Sequence, residues 1–204
     1  MPDIALFLAA SAALTIAPGP DNLQVLARGI SQGRAAGVAA AMGFATGCLF
    51  HTALAVLGIA AALRASPFAF DAIRIAGGLY LIWIGIQALR ARGAFSLAKE
   101  GGQDRKWIIF KQSVLGNVMN PKVTLFFLVF LPQFVDARGN AEIQMAMLGL
   151  LFMAQTIVIF GGIGLAAGGI GQWLATRPAT ALWLNRLAGA VFVLIGVRAA
   201  LPFG

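Results

Sequence analysis

The chain has 204 residues, of which 60% are apolar and 11% charged, against about 45–50% and about 25% in soluble domains. So few charges cannot surface a water-soluble globule of this length, and the high hydrophobicity without any Gly-X-Y repeat removes the disordered and fibrous classes. The net charge of +8 reads as the Lys and Arg surplus of cytoplasmic loops, so membrane lipid is the expected neighbour and nucleic acid is not.

In chain order, the first 20 residues carry an Ala10-Ser11-Ala12 stretch like a signal cleavage site but lack a positive leading region, since Asp3 is their one charge. They are therefore expected to open the first span. A span needs about 20 mostly apolar residues, and six candidates follow, at about 4–26, 38–62, 70–90, 112–134, 146–173 and 180–201. The runs are continuous rather than alternating, which predicts helices and not a β-barrel. Between the spans, ten Lys and Arg fall on one side and four on the other. By the positive-inside rule both termini lie outside, and the loop near 91–111 lies in the cytoplasm, where its positive charges suit a solvated linker or a contact with anionic lipid.

The two halves resemble each other. Gly19-Pro20 recurs as Asn120-Pro121, His51-Thr52 as Gln155-Thr156, and Trp83-Ile84-Gly85-Ile86 as Leu194-Ile195-Gly196-Val197, at offsets of 101, 104 and 111 that grow as loop insertions would make them. Three spans per unit force the second unit to enter from the opposite face. The prediction is a single all-α transmembrane domain of two inverted three-helix repeats, about 1–92 and 111–204, joined by a linker at about 93–110.

Ala17-Pro18-Gly19-Pro20-Asp21-Asn22 is the most informative segment, because two prolines around a glycine should break the first span. In the fourth span, Asn120 suits an N-cap, Pro121 the first helical position, and Lys122 follows. A broken helix at membrane depth survives where it is buried in protein or lines a watery cavity. Each break is expected to leave a positive helix N-terminus with free N–H groups, a dock for a carboxylate. Charges inside spans are costly and usually paired. Asp21 and Lys122 are accordingly expected to meet across the pseudo-twofold axis, Lys122 holding a substrate carboxylate and Asp21 an amino group or a coupling proton. His51, in the second span, is a second proton-coupling candidate, and Asn117, one turn before the second break, joins the substrate set.

Gly29, Gly33 and Gly37, like Gly43 and Gly47, recur every four residues and predict close helix packing. Gly162-Ile163-Gly164 mimics a dinucleotide fingerprint, but it sits in an uncharged apolar run, so no cofactor is expected. Cys48 is the single cysteine, and Cys48 with His51 makes no metal site. With one histidine and no paired catalytic carboxylates, an enzyme is not expected.

Pro18-Gly19-Pro20-Asp21-Asn22, the following glycines, Asn120-Pro121-Lys122 running into Phe126-Phe127, and Leu131-Pro132-Gln133-Phe134 together resemble the lysine exporter (LysE/RhtB) family of bacterial amino-acid exporters. The resemblance covers essentially the whole chain. It implies a secondary transporter of the bacterial inner membrane that exports amino acids or related metabolites in exchange for protons, and it allows a homodimer. By motif position it implicates Pro18, Gly19, Pro20, Asn22, Asn120, Pro121 and Lys122 around the pathway, while the role of Asp21 rests on the physical argument. Export of a homoserine lactone or of a metal cation, and a membrane-embedded protein that does not transport, are the competing readings.

Overall fold

A computed structural model describes residues 4–16, 19–65, 67–90, 104–136, 139–175 and 178–201. Among these residues the chain is all helical: α1 (Ile4–Ile16), α2 (Pro20–Gln32), α3 (Arg34–Ala65), α4 (Pro67–Arg90), α5 (Lys106–Val118), α6 (Pro121–Leu125), α7 (Ala141–Ala175) and α8 (Pro178–Ala200).

Proline chemistry places both breaks. Pro20 opens α2, where its missing N–H costs nothing and its fixed φ suits a first turn, and α1 and α2 meet at 58°. Pro121 opens α6 in the same way behind Asn120, and the α5 segment meets the one beginning at Pro121 at 50°. Pro18 lies outside the described residues. After α6 the chain widens into a π-helical turn over Phe126–Phe130 and tightens into a 3-10 turn over Leu131–Phe134. Pro132 accounts for the change, because it cannot donate to the carbonyl four residues back and its ring crowds that turn.

Within the described residues, α3 and α7 contain stretches long and apolar enough to cross a membrane, Arg34–Gly58 and Ala141–Gly169, and counting each bent pair as one span raises the number to four. The first bent pair runs to Gln32, beyond the end expected at residue 26, and α3 and α7 likewise overrun their predicted limits. α5 begins at Lys106, so residues 106–110 of the expected linker are helical, while 91–103 lie outside the described residues.

Among the described residues, α3 packs along α7, and α4 along α8, as the most extensive pairings. Small residues permit the approach. A Cβ added at Gly37 would lie 2.8 Å from the Gly164 carbonyl oxygen, and one at Gly85 would lie 2.7 Å from that of Gly189. The α4–α8 contacts exchange: Gly78 meets Gly196 while Gly85 meets Gly189, an antiparallel crossing at two levels. Gly164 thus serves packing, as do Gly43 and Gly47, which face α5. Gly33 departs from the expected ridge. With φ of 87° and ψ of 169° and no atom within 4 Å of its would-be Cβ, it forms the turn between α2 and α3, a backbone region essentially reserved for glycine.

The larger apolar core gathers Phe7, Phe126, Phe127, Phe130, Phe134 and Phe152 with aliphatic neighbours, while a smaller one centres on Phe44 and Phe160. The aromatic rings meet mostly edge-on or tilted, as between Phe7 and Phe134 at 5.3 Å and Phe126 and Phe152 at 4.8 Å. Both clusters draw on the broken segments, the larger through Phe7 and Leu14 of α1 and Val123 of α6, the smaller through Val25 of α2 and Ile109 of α5.

Candidate functional site

The breaks face each other, and each sends its charged residue to the other. Asp21, in the first turn of α2, accepts from the Asn117 side-chain amide on Oδ2 at 3.1 Å and from the Asn120 amide on Oδ1 at 2.6 Å. Lys122, in the first turn of α6, donates from Nζ to the Leu14 carbonyl at 3.3 Å, near the C-terminal end of α1 where carbonyls lose their helical partners. The Lys122 ammonium also lies over the Phe192 ring at 5.0 Å. It is close enough to Asp21 for the two charges to act on one another. Asp21, Asn117 and Asn120 are buried at 7%, 2% and 6% exposure, so none of these polar contacts competes freely with water.

Asn120 does two jobs. Its Oδ1 accepts the Lys122 backbone N–H at 3.0 Å and caps α6, while its Nδ2 serves Asp21. The two helix starts therefore differ. At α6 the side-chain cap occupies one of the N–H groups expected to be free; at α2 the capping position is Gly19, extended at φ −161°, which offers no side-chain acceptor. Asn22 is directed backward, donating from Nδ2 to the Thr15 carbonyl at 2.7 Å, and so ties α2 to the end of α1.

His51 is fully buried, and its Nε2 lies 2.9 Å from the Asn117 carbonyl oxygen, which also receives the Asn120 backbone N–H at 2.9 Å. It braces the α5 end of the break and is not among the residues that line the cavity. Gln155, its sequence counterpart, accepts from Ser11 of α1 at 3.2 Å, so each half's second long helix supports the other half's first segment.

Between the breaks lies a cavity of about 30 Å³, lined by Thr15, Gly19, Pro20, Asp21, Asn22, Asn117, Asn120 and Lys122 together with Leu14, Cys48, Val123, Phe152, Thr156 and Phe160. Among the described residues, Asn117 Oδ1, which lies against Gly47 of α3, is a buried acceptor without a hydrogen-bond partner. A buried acceptor left open costs about 1–3 kcal/mol.

Of the residues singled out in the sequence, Gly19, Pro20, Asp21, Asn22, Asn117, Asn120 and Lys122 are brought together, Pro121 sets the first turn of α6, and His51 stands behind the site. The α7 wall of Phe152, Thr156 and Phe160 was not singled out as site lining. Its signal is a spacing of four along one helix, which an apolar sequence repeats everywhere.

The family profile described as LysE type translocator matches residues 12–202. The chain belongs to the LysE type translocator family. Among relatives of this LysE chain, the homoserine/homoserine lactone efflux protein of Salmonella typhimurium is 30% identical over 194 residues, 95% of this chain and 94% of its own length. A leucine efflux protein of an Enterobacter species is 31% identical over 194 residues, 92% and 90% of the two chains. An uncharacterized membrane protein of Pseudomonas aeruginosa is 33% identical over 195 residues, 90% and 88%. No solved structure matches the LysE chain. Family membership makes it a membrane transporter.

Proposed function

We propose that the protein is a secondary active exporter of amino acids or closely related metabolites, working in the inner membrane by alternating access and driven by protons. One observation carries the reading: Asp21 and Lys122, each placed by a proline break, cross to the opposite break and line one shared cavity. A zwitterion presents one carboxylate and one ammonium, and the cavity presents Lys122 with the uncapped α2 start for the first and Asp21 for the second. The family and the efflux relatives supply the direction of transport.

The same reading takes six spans arranged as two inverted repeats, with both termini outside, as the frame that moves. In a twofold-related pair, residue i meets j while j meets i. The exchanged glycine contacts of α4 and α8, and the cross-support of α5 by His51 and α1 by Gln155, support that relation. Rocking one repeat against the other would open the cavity to either face in turn.

Asp21 is the proton carrier in this scheme, and His51 a positioning residue. Both Asp21 oxygens accept amide hydrogens; a proton on either would oppose an amide N–H and release one of the two contacts, coupling protonation to the geometry of the second break. The experiment is efflux from cells loaded with amino acids through dipeptides, comparing wild type with an Asn120→Ala, Lys122→Ala variant at matched expression, with and without an uncoupler. Selective efflux that both treatments abolish is the expected result. No efflux of any amino acid by the wild type would overturn the proposal.

A further inference from the structure

The cavity lining is divided by chemistry as well as by position. Its charged and amide groups, Asp21, Asn22, Asn117, Asn120 and Lys122, all come from the broken segments, while the continuous helices contribute Cys48 from α3 and Phe152, Thr156 and Phe160 from α7. The three α7 residues are spaced by four, share one helix face, and are 5%, 2% and 4% exposed. Phe152 is held by Phe126 and Phe127 at ring distances of 4.8 and 5.2 Å, and Phe160 by Phe44 at 6.0 Å. They therefore form a ring-braced apolar wall of the cavity.

We infer that this α7 face is the side-chain pocket of the transporter and that it restricts the substrate to amino acids with an uncharged side chain, with Phe152 and Phe160 setting the permitted size. The inference rests on the export reading above and goes on to name which amino acids. Among the described lining residues Asp21 is the single acid and Lys122 the single base, and a zwitterion's head group uses both. A cationic side chain would then face two phenyl rings and a buried thiol with no carboxylate left to neutralise it, and a buried unpaired charge is among the costliest arrangements in a protein. An apolar side chain directed away from the breaks meets that wall with no such penalty. Because the wall is built of large rings gripped by other rings, it is there that side-chain length is limited.

The experiment is efflux of alanine, leucine, phenylalanine, lysine and arginine, each delivered as a dipeptide, from cells expressing wild type, Phe152→Leu, Phe160→Ala or Phe152→Trp at matched membrane levels. Wild type is expected to export neutral amino acids and leave lysine and arginine inside. Trimming the wall in Phe152→Leu or Phe160→Ala should raise phenylalanine efflux relative to alanine by about tenfold, the lower end of what apolar pocket contacts discriminate; Phe152→Trp should lower leucine relative to alanine. Phe152→Leu keeps an apolar group in the ring cluster, so the comparison survives even where a deeper truncation fails to fold. Lysine efflux by the wild type at the leucine rate would overturn the inference and leave the export reading standing, as would unchanged ratios in all three wall variants. Failure of the wild type to move any of the five would remove the export reading, and the inference with it.

Discussion

The bond between Asn120 and Asp21 is the contact on which the arrangement of the two breaks most depends, and its strength can be separated from the other work that Asn120 does. Asn120→Ala removes the cap on α6, worth about 1 kcal/mol, and a 2.6 Å hydrogen bond to a buried carboxylate. Hydrogen bonds to charged groups contribute about 1.5–3 kcal/mol in soluble proteins, whereas interhelical bonds in membranes average about 0.6 and reach about 1.7 kcal/mol. A short bond with a charged acceptor and both partners under 10% exposed belongs near the top of the membrane range, about 1.5 kcal/mol, giving about 2.5 kcal/mol for the single variant. The cap runs to the Lys122 backbone and does not involve Asp21, so it cancels in a double-mutant cycle of Asn120→Ala with Asp21→Ala. Reversible unfolding in mixed micelles of rising SDS content should return a coupling of about 1.5 kcal/mol. A coupling below about 0.4 kcal/mol, within the scatter expected for independent sites, would mean that the two breaks are not joined through this bond.

Three other outcomes follow from the same geometry. At Gly47 an added Cβ would lie 2.6 Å from Asn117 Oδ1 and 2.7 Å from its Cβ; Gly47→Ala should therefore displace Asn117 from Asp21 and reduce efflux at least tenfold at normal expression, and near-wild-type efflux would refute that role. Gly33→Ala meets no neighbour but holds a φ of 87°, so it should lose about 1–3 kcal/mol in the same micelle titration with no change in substrate ratios. His51→Phe should slow efflux, because the Asn117 carbonyl loses a donor at 2.9 Å, yet leave the fold-loss on adding uncoupler as in wild type; Asp21→Asn should abolish that dependence, and the reverse pattern would transfer the proton role to His51.

Both breaks could be read from the chain because proline acts locally: Pro20 and Pro121 interrupt a helix whatever surrounds them, and each opens a new helix in the structure. The residues just after them were legible for the same reason, since a charge at that depth needs a partner. The division of labour was not. Asn120 looked like a cap and proved to be both cap and donor, while Asn22 turned back to the α1 carbonyl ends. Gly33 shared its four-residue spacing with Gly29 and Gly37, and spacing alone does not separate a packing glycine from one that turns the backbone. The α7 wall was hidden because Phe152, Thr156 and Phe160 differ from the lipid-facing residues around them only in the direction they point.

The exchanged glycines of α4 and α8 also bear on how the molecule can move. Gly78 against Gly196 and Gly85 against Gly189 set backbone on backbone at two levels, so sliding one helix by a single turn, about 5.4 Å, would drive Ile82 or Leu89 into a space where a lone methyl already clashes. The pair is keyed like a shaft in its bearing: free to tilt as one piece, barred from ratcheting.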